Sequence, residues 1–416
     1  MRIAIVNRSN RLAGGIERYL NHIIPGLRRR GCQVVFFCEI DAPTDRPLIS
    51  GSADGPLLCT SKTGTDGALM ALREWRPDIT FGHGLNDSRT EGRLLEVAPA
   101  VFHAHEYYGT CISGRKSFRY PGIESCEKVF GPACLLNYFP RRCGGRSPVT
   151  MWRLYATQLA RLESLRRCCS LITATEHMRR EYLRHGFAPE RVHTIPHPIV
   201  PREALRRASA NPDAPARRSM LILLFAGRME LEKGGHVLIE ALPSITRSLR
   251  RPVRLEMVGD GSARPSWEAL GSRVCSQDRG IEIRFRGWLD GTQLDDAFDN
   301  AGLLVVPSLW PEPFGEVGGE AALRSLPSAA FAVGGIPEWL SDGVNGHLAP
   351  ANPPNARGLA AAIVACVGDP EHHARLREGA RALAGRYSVD DHAARLIDVF
   401  TDAISQPLTE ASARAI

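Results

Sequence analysis

The sequence predicts an α/β protein of two Rossmann-like, doubly wound domains. Three observations carry that prediction. Short apolar runs of four to six residues alternate with helical stretches along most of the 416 residues, as expected of parallel strands covered on both faces by crossover helices. The alternation lapses once, in a proline-rich stretch near the middle, and then restarts. Both halves also open the same way, with a buried strand, a glycine-containing turn and a helix.

In the first half the runs are Arg2 to Val6, Gln33 to Cys38, Asp78 to Phe81, Ala100 to His105, Ser170 to Thr173 and Val192 to Ile195. In the second they are Met220 to Phe225, Arg254 to Val258, Ile281 to Phe285, Gly302 to Pro307 and Ser328 to Ala332. Between Pro196 and Ser219 the chain offers prolines, small residues and charges without periodicity, which marks an interdomain boundary. The expected division is an N-terminal domain over 1–200 with an insertion at 109–148, a linker over 201–218, and a C-terminal domain over 219–388. A last segment, 389–416, should hold a helix that packs back on the N-terminal domain. Its apolar stripe is Ala393, Leu396, Ile397 and Phe400, at helical spacing, and the last dozen residues read as frayed.

With 44% hydrophobic and 23% charged residues, the chain is neither disordered, collagenous nor a disulfide miniprotein. The apolar run after Met1 is too short for a signal peptide, and none reaches the roughly 18 residues of a membrane span. A cytoplasmic protein is expected, with its eleven cysteines read as thiols or metal ligands before disulfides. Residues 1 to 200 carry 28 basic and 18 acidic side chains, and the remainder 24 and 27. The basicity of the first half points to an anionic partner or to a solvated basic face. Lysine is rare: only Lys62, Lys116, Lys128 and Lys233 occur among 52 basic residues.

The two opening turns read Gly14-Gly15-Ile16-Glu17 and Gly227-Arg228…Lys233-Gly234-Gly235. Glycine lets backbone approach a ligand, and a helix start offers N–H groups to an anion. Neither turn is a G-x-G-x-x-G, so a standard dinucleotide site is disfavoured. Arg228 and Lys233 place a planar fork and a point charge at the mouth of a strand, a combination suited to a diphosphate.

The segment Val306 to Ala322 carries the most chemistry. A strand should end at Pro307 and a helix begin near Gly315, with Glu312 in the loop and Glu320 on the helix's second turn, both toward the strands' carboxyl edge where open α/β sheets bind ligands. Carboxylates accept paired hydrogen bonds from vicinal hydroxyls, so two of them could hold two sugar rings. The alternative is a helix start bearing solvated acids.

Together, Gly14-Gly15-Ile-Glu-Arg, Gly227-Arg228…Glu232-Lys233-Gly234, Val258-Gly-Asp-Gly261, Phe285-Arg-Gly287-Trp288, Glu312-x7-Glu320, Val333-Gly-Gly-Ile-Pro-Glu338 and Asp342-Gly-Val-Asn-Gly346 resemble the retaining glycosyltransferases of the GT-B fold, specifically glycosyltransferase family 4. The resemblance implies hexosyl transfer from a nucleotide-diphosphate sugar to a polysaccharide, lipid-linked or small-molecule acceptor. Arg228 and Lys233 would then bind the diphosphate, Glu312 the sugar hydroxyls and Glu320 the ribose. Phe314, Gly315, Glu316 and Val317 would offer backbone N–H groups, Gly287 and Trp288 would meet the base, and Gly14 and Gly15 would belong to the donor site. Glu316 stands where the family has an apolar residue, Gly319 replaces a larger one, and Ser325 replaces a glycine.

Alternation along the strand puts His103 and His105 on one face. The resemblance implies that His105, followed by Glu106, contacts the donor sugar; a pair of polar strand-end residues is the plainer reading. His83 ends another strand and is favoured less. Cys111, Cys126, Cys134 and Cys143 share one Arg-rich insertion but lack paired C-x2-C spacing, leaving zinc, disulfides and free thiols open.

No cofactor is expected beyond the donor substrate. The chain contains no Asp-x-Asp, so no metal is expected in catalysis, which should tolerate EDTA. An anionic membrane surface is a further candidate partner. The rival readings are a nucleotide-sugar epimerase of the same fold and a metal-stapled nucleic-acid binder. The paired glutamates favour the transferase over the first, and the acidic second half speaks against the second, so no nucleic-acid partner is expected.

Overall fold

The computed structural model describes residues 1–12, 14–41, 47–49, 55–200 and 220–405. The expected linker over 201–218 and the frayed tail fall outside them. In chain order the elements begin β1 (Arg2–Ser9), α1 (Gly15–Arg29), β2 (Gln33–Ile40), β3 (Leu57–Cys59), α2 (Thr60–Trp75), β4 (Ile79–Gly82), α3 (Ser88–Leu94) and β5 (Ala100–Ala104). Next come β6 (Ser117–Phe118), β7 (Glu124–Ser125), α4 (Ala133–Tyr138), α5 (Pro148–Arg167), β8 (Ser170–Thr173), α6 (Glu176–Arg184) and β9 (Val192–Thr194). The second half holds β10 (Leu221–Ala226), α7 (Gly235–Leu249), β11 (Val253–Val258), α8 (Arg264–Gln277), β12 (Ile281–Gly287), α9 (Gly291–Asn300) and β13 (Leu303–Val306). It closes with α10 (Val317–Ala322), β14 (Ser328–Phe331), α11 (Ile336–Trp339), β15 (Gly346–Ala349), α12 (Ala356–Val367), α13 (Pro370–Ala384) and α14 (Val389–Ser405).

The chain divides into two compact units. The first comprises Met1–Pro121, Cys126–Pro198 and the residues from Ser388 on; the second comprises Gly122–Ser125 and Ile199–Tyr387. Unit 1 is a seven-stranded sheet of order β3-β2-β1-β4-β5-β8-β9, with its paired strands parallel. Its central strands are buried along most of their length, as at Ile3, Ala4 and Ile5, because helices cover both faces. One face packs Tyr19, Leu20, Ile23 and Leu27 of α1 with Leu396 and Phe400 of α14; the other packs Ala68, Leu69 and Leu72 of α2.

Unit 2 is a six-stranded sheet of order β12-β11-β10-β13-β14-β15, also parallel. Leu223, Leu255, Leu304 and Ala329 from four neighbouring strands are fully buried, with Leu238, Leu242, Ile363 and Trp267 packed over them. In each sheet the strand order reverses beside the opening strand, β1 in unit 1 and β10 in unit 2. Such switch points leave room at the strands' carboxyl ends.

Four strands lack an expected counterpart, of which β6 and β7 form a separate two-stranded pair inside the insertion. β3 and β15 lie at sheet edges; they are short and half-solvated, so they present no long apolar run. The helix expected near Gly315 starts at Val317, because Gly315 holds a left-handed φ of 91°. Glu320 consequently sits in that helix's first turn, not its second. The strand expected to reach His105 ends at Ala104. In α14, Ala393, Leu396 and Phe400 are buried while Ile397 is only half-buried.

Candidate active site

In unit 2, Gly227 and Arg228 follow β10, and a single helical turn, Leu231–Lys233, leads to Gly234. A side chain at Gly234, where φ is 69°, would place Cβ 1.8 Å from the Pro307 carbonyl oxygen. Only glycine allows the Lys233 turn to lie so close to the loop after β13. That proximity lets Lys233 Nζ donate to Glu312 Oε1 at 2.6 Å, with the ammonium 5.2 Å from the centre of the Trp310 ring.

Glu312 is buried, and its Oε1 also accepts from Ser308 Oγ at 2.5 Å and Trp310 Nε1 at 2.8 Å. Burial alone would raise its pKa; the Lys233 ammonium and the three hydrogen bonds outweigh this and hold the carboxyl below its ordinary value. The carboxylate is therefore charged, fixed and directional. Its backbone is clamped as well: Gly335 N–H donates to the Glu312 carbonyl at 2.7 Å, and a Cβ on Gly334 would lie 2.3 Å from that oxygen.

The rest of the Glu312–Glu320 segment wraps Trp339. Trp339 Nε1 donates to the Phe314 carbonyl at 2.7 Å, and a Cβ at Gly318 would strike the indole ring at 2.5 Å. Gly319 packs under Ile199, 2.9 Å from where its Cβ would be, so no larger residue fits there. Glu316 and Glu320 are half-buried, and Arg228 is exposed. Gly287, with φ 67°, accepts a hydrogen bond from Gly259 N–H at 2.8 Å and turns the chain outward at the end of β12, leaving Trp288 64% exposed.

In unit 1, Gly14 and Gly15 are exposed at the start of α1, and Gly14 leaves space for the Glu17 carboxylate, which accepts from Asn7 Nδ2 at 3.1 Å. His105 is half-buried, its Nε2 lies 2.8 Å from His83 Nδ1, and its ring stacks on His103 at 4.2 Å between centroids. Burial first, then the neighbouring imidazoles, push its pKa well below the usual value. The ring is neutral near pH 7 and acts through hydrogen bonds. Glu106 is exposed.

The structure thus joins Lys233 to Glu312 in unit 2 and His83 and His103 to His105 in unit 1. Residues that the sequence reading left without roles include Ser308, Trp310 and Gly334 around Glu312. The i−4 and i−2 spacing of the first two within one turn was a usable signal. The approach of Gly334 comes from another strand and left none. None of the eleven cysteines is disulfide-bonded. Lys116, one of the rare lysines, is buried in a structural role, paired with Glu181 and donating to the Lys128 carbonyl at 2.6 Å.

A family model described as glycosyl transferases group 1 matches residues 221–369, and one described as Glycosyltransferase Family 4 matches residues 13–203. The chain is 32% identical to a D-inositol 3-phosphate glycosyltransferase of Xylanimonas cellulosilytica, over 94% of this chain and 92% of that protein. The chain belongs to the GT-B glycosyltransferase family. This glycosyltransferase is also 26% identical, over 76% of its length and 80% of the relative's, to an alpha-D-kanosaminyltransferase of Streptomyces kanamyceticus. Its fold matches Anabaena HepE, solved in complex with UDP, at a TM-score of 0.67 and 17% identity, covering 97% of this chain and all of that one. Neither the epimerase nor the nucleic-acid-binding reading finds support among these relatives.

Proposed function

We propose that this glycosyltransferase moves a hexosyl group from a nucleotide-diphosphate sugar to a glycan, lipid-linked or small-molecule acceptor, with retention of anomeric configuration and without a metal. The observation that carries this reading is the Lys233–Glu312 pair, a fixed ammonium and a buried carboxylate at the carboxyl ends of a parallel sheet. An ammonium there balances the charge developing on a departing diphosphate, with Arg228 as a second cation. Glu312 accepts from the sugar hydroxyls, Glu320 from the ribose, and Trp288 supplies an aromatic face for the base. Backbone N–H groups from Phe314 to Val317 serve as individual donors. α10, at six residues, is too short for a large helix dipole.

In the proposed step the acceptor oxygen bonds to the anomeric carbon on the face the phosphate leaves. The carbon–phosphate-oxygen bond breaks and the hydroxyl proton passes to the leaving phosphate. His105, neutral, orients the donor sugar, and Gly14 and Gly15 complete the donor contacts.

An anionic membrane surface fits as the place where a lipid-linked acceptor is met. Leu136, Phe139, Val149 and Trp152 are exposed in and beside the insertion, among Arg142, Arg146 and Arg153. Exposed apolar and basic side chains together are the composition of an interfacial contact. Among the described residues, no helix is long and apolar enough to cross a membrane.

The test is thermal stability against UDP, GDP, ADP and dTDP, with and without EDTA, followed by NMR of the product's anomeric configuration. One nucleotide at 100 times its Kd should stabilise by about 2.7 kcal/mol regardless of EDTA. No shift with any nucleotide, or an inverted product, would overturn the reading. Absence of pelleting with anionic vesicles at low salt would remove the membrane.

A further inference from the structure

The carboxyl ends of β4 and β5 gather three imidazoles in unit 1. Gly82 is in register with Phe102, so His83 stands beside His103, and alternation brings His105 to the same face. One nitrogen from each of the three rings lies within 4.8 Å of the others. His103 is fully buried, and neither of its ring nitrogens has a hydrogen-bond partner among the described residues. Native structures seldom leave a buried imidazole in that state. His83 Nε2 is likewise buried without a partner. The His197 ring lies alongside, 5.2 Å from His103 and 5.3 Å from His105 between centroids, and Tyr19 packs edge-on against His103 at 4.9 Å.

We infer that His83, His103 and His105 form a binding site for a borderline transition-metal dication of the Zn²⁺ class, ligated by one nitrogen from each ring. An all-imidazole set suits Zn²⁺, Co²⁺, Ni²⁺ or Cu²⁺ and does not suit Mg²⁺ or Ca²⁺, which take oxygen ligands. Zinc–nitrogen bonds of about 2.0–2.1 Å put tetrahedral ligand nitrogens roughly 3.3 Å apart, within reach of small side-chain rotations here. Ligation replaces the His83–His105 hydrogen bond. The shared proton moves to the other nitrogen of its own ring, and both lone pairs turn to the ion. The fourth position is open to His197 or to an oxygen ligand.

An ion here occupies the histidine assigned above to the donor sugar. Resting on that assignment, the ion inhibits transfer; its binding does not depend on the assignment.

The experiment uses untagged full-length protein, stripped with EDTA and loaded with Co²⁺ or Zn²⁺. Metal content after gel filtration and the Co²⁺ ligand-field spectrum are the readouts. One ion per chain, with nitrogen and oxygen ligation and no thiolate charge-transfer band, is expected. H83Q/H103Q, with its far-ultraviolet circular dichroism unchanged, should weaken binding by more than about 100-fold. No bound ion, a thiolate spectrum from the cysteines, or undiminished binding by H83Q/H103Q would overturn the site. Should that variant not fold, the Co²⁺ spectrum of the unaltered protein decides alone. Zn²⁺ should inhibit an active enzyme and EDTA should restore it; a Zn²⁺-loaded enzyme of full activity would overturn the occupation of His105. Stoichiometric metal on a protein that shows no transferase activity even after the ion is stripped with EDTA would count against the proposed function and leave the metal site standing.

Discussion

Lys233 Nζ and Glu312 Oε1 lie 2.6 Å apart although 79 residues separate them, and Glu312 is only 5% exposed. The pair ties the turn after β10 to the loop after β13, so both a structural and a chemical role pass through one contact. The two roles separate in a double-mutant cycle. Lys233→Met leaves a buried carboxylate without its counter-charge and should destabilise the protein by roughly 2 kcal/mol, less than the 3–5 kcal/mol of fully buried pairs because Lys233 is partly exposed. Glu312→Gln with Lys233→Met should recover most of that loss in urea unfolding while transfer stays down by about 100-fold or more. Turnover near normal in both single variants would remove the pair from the site.

Acid should release the same pair. Glu312 has a lowered folded pKa, so its stabilising contribution is complete above the ordinary carboxylate value and lost as pH falls through the folded one. Melting temperature should therefore decline below about pH 4.3, and Glu312→Gln should flatten that limb.

His392 acts in the same direction over a higher pH window. Burial holds it at about 3, its Nε2 accepting from the Tyr19 hydroxyl and its Nδ1 donating to the Pro196 carbonyl, each at 2.8 Å. Between the unfolded value near 6.5 and the folded value the unfolded chain binds the extra proton. Stability then falls with acidification by about 1.4 kcal/mol per pH unit for this group. His392→Gln should reduce the slope of a pH–stability profile in that window.

Gly334→Ala should be among the more damaging single-methyl additions. The new Cβ would meet Glu312 oxygen at 2.3 Å and nitrogen at 2.4 Å, and φ is 59°. A cost of roughly 2–3 kcal/mol and a displaced Glu312 are expected, read by unfolding and by transfer rate. Full activity would show that the Glu312 loop does not need its present position.

Ser325→Gly should do the reverse. Ser325 closes the turn after α10 at φ 53°, a left-handed conformation that disfavours side chains. A gain of about 0.5–1 kcal/mol with unchanged transfer is expected in a urea titration.

Most of this architecture was legible in the sequence because doubly buried parallel strands write continuous apolar runs. Leu221 to Ala226 and Ser170 to Thr173 are examples. β3 and β15 were not legible, since edge strands need few apolar residues. The acidic residues after β13 and the basic pair after β10 were visible as a pattern. The geometry that makes Glu312 a buried, triply bonded carboxylate was not, because Gly234 and Gly334 act through close approaches between distant segments. The same holds for the imidazoles. His103 and His105 share a face by alternation, whereas His83, His197 and His392 join them only through sheet order and the return of α14.

That return has a temporal consequence. Tyr19 and His392 are bonded across 373 residues, so the apolar stripe of α1 lacks its α14 cover until residues 389–405 have left the ribosome. At 5–20 residues per second the wait is roughly 20–75 s, during which Ile23 and Leu27 present sticky surface while the second unit is still being made. Biosynthesis of this enzyme is therefore exposed to misassembly at a predictable moment. Holdase chaperones engaging the nascent chain should dwell on the α1 face and leave when residues 389–405 emerge.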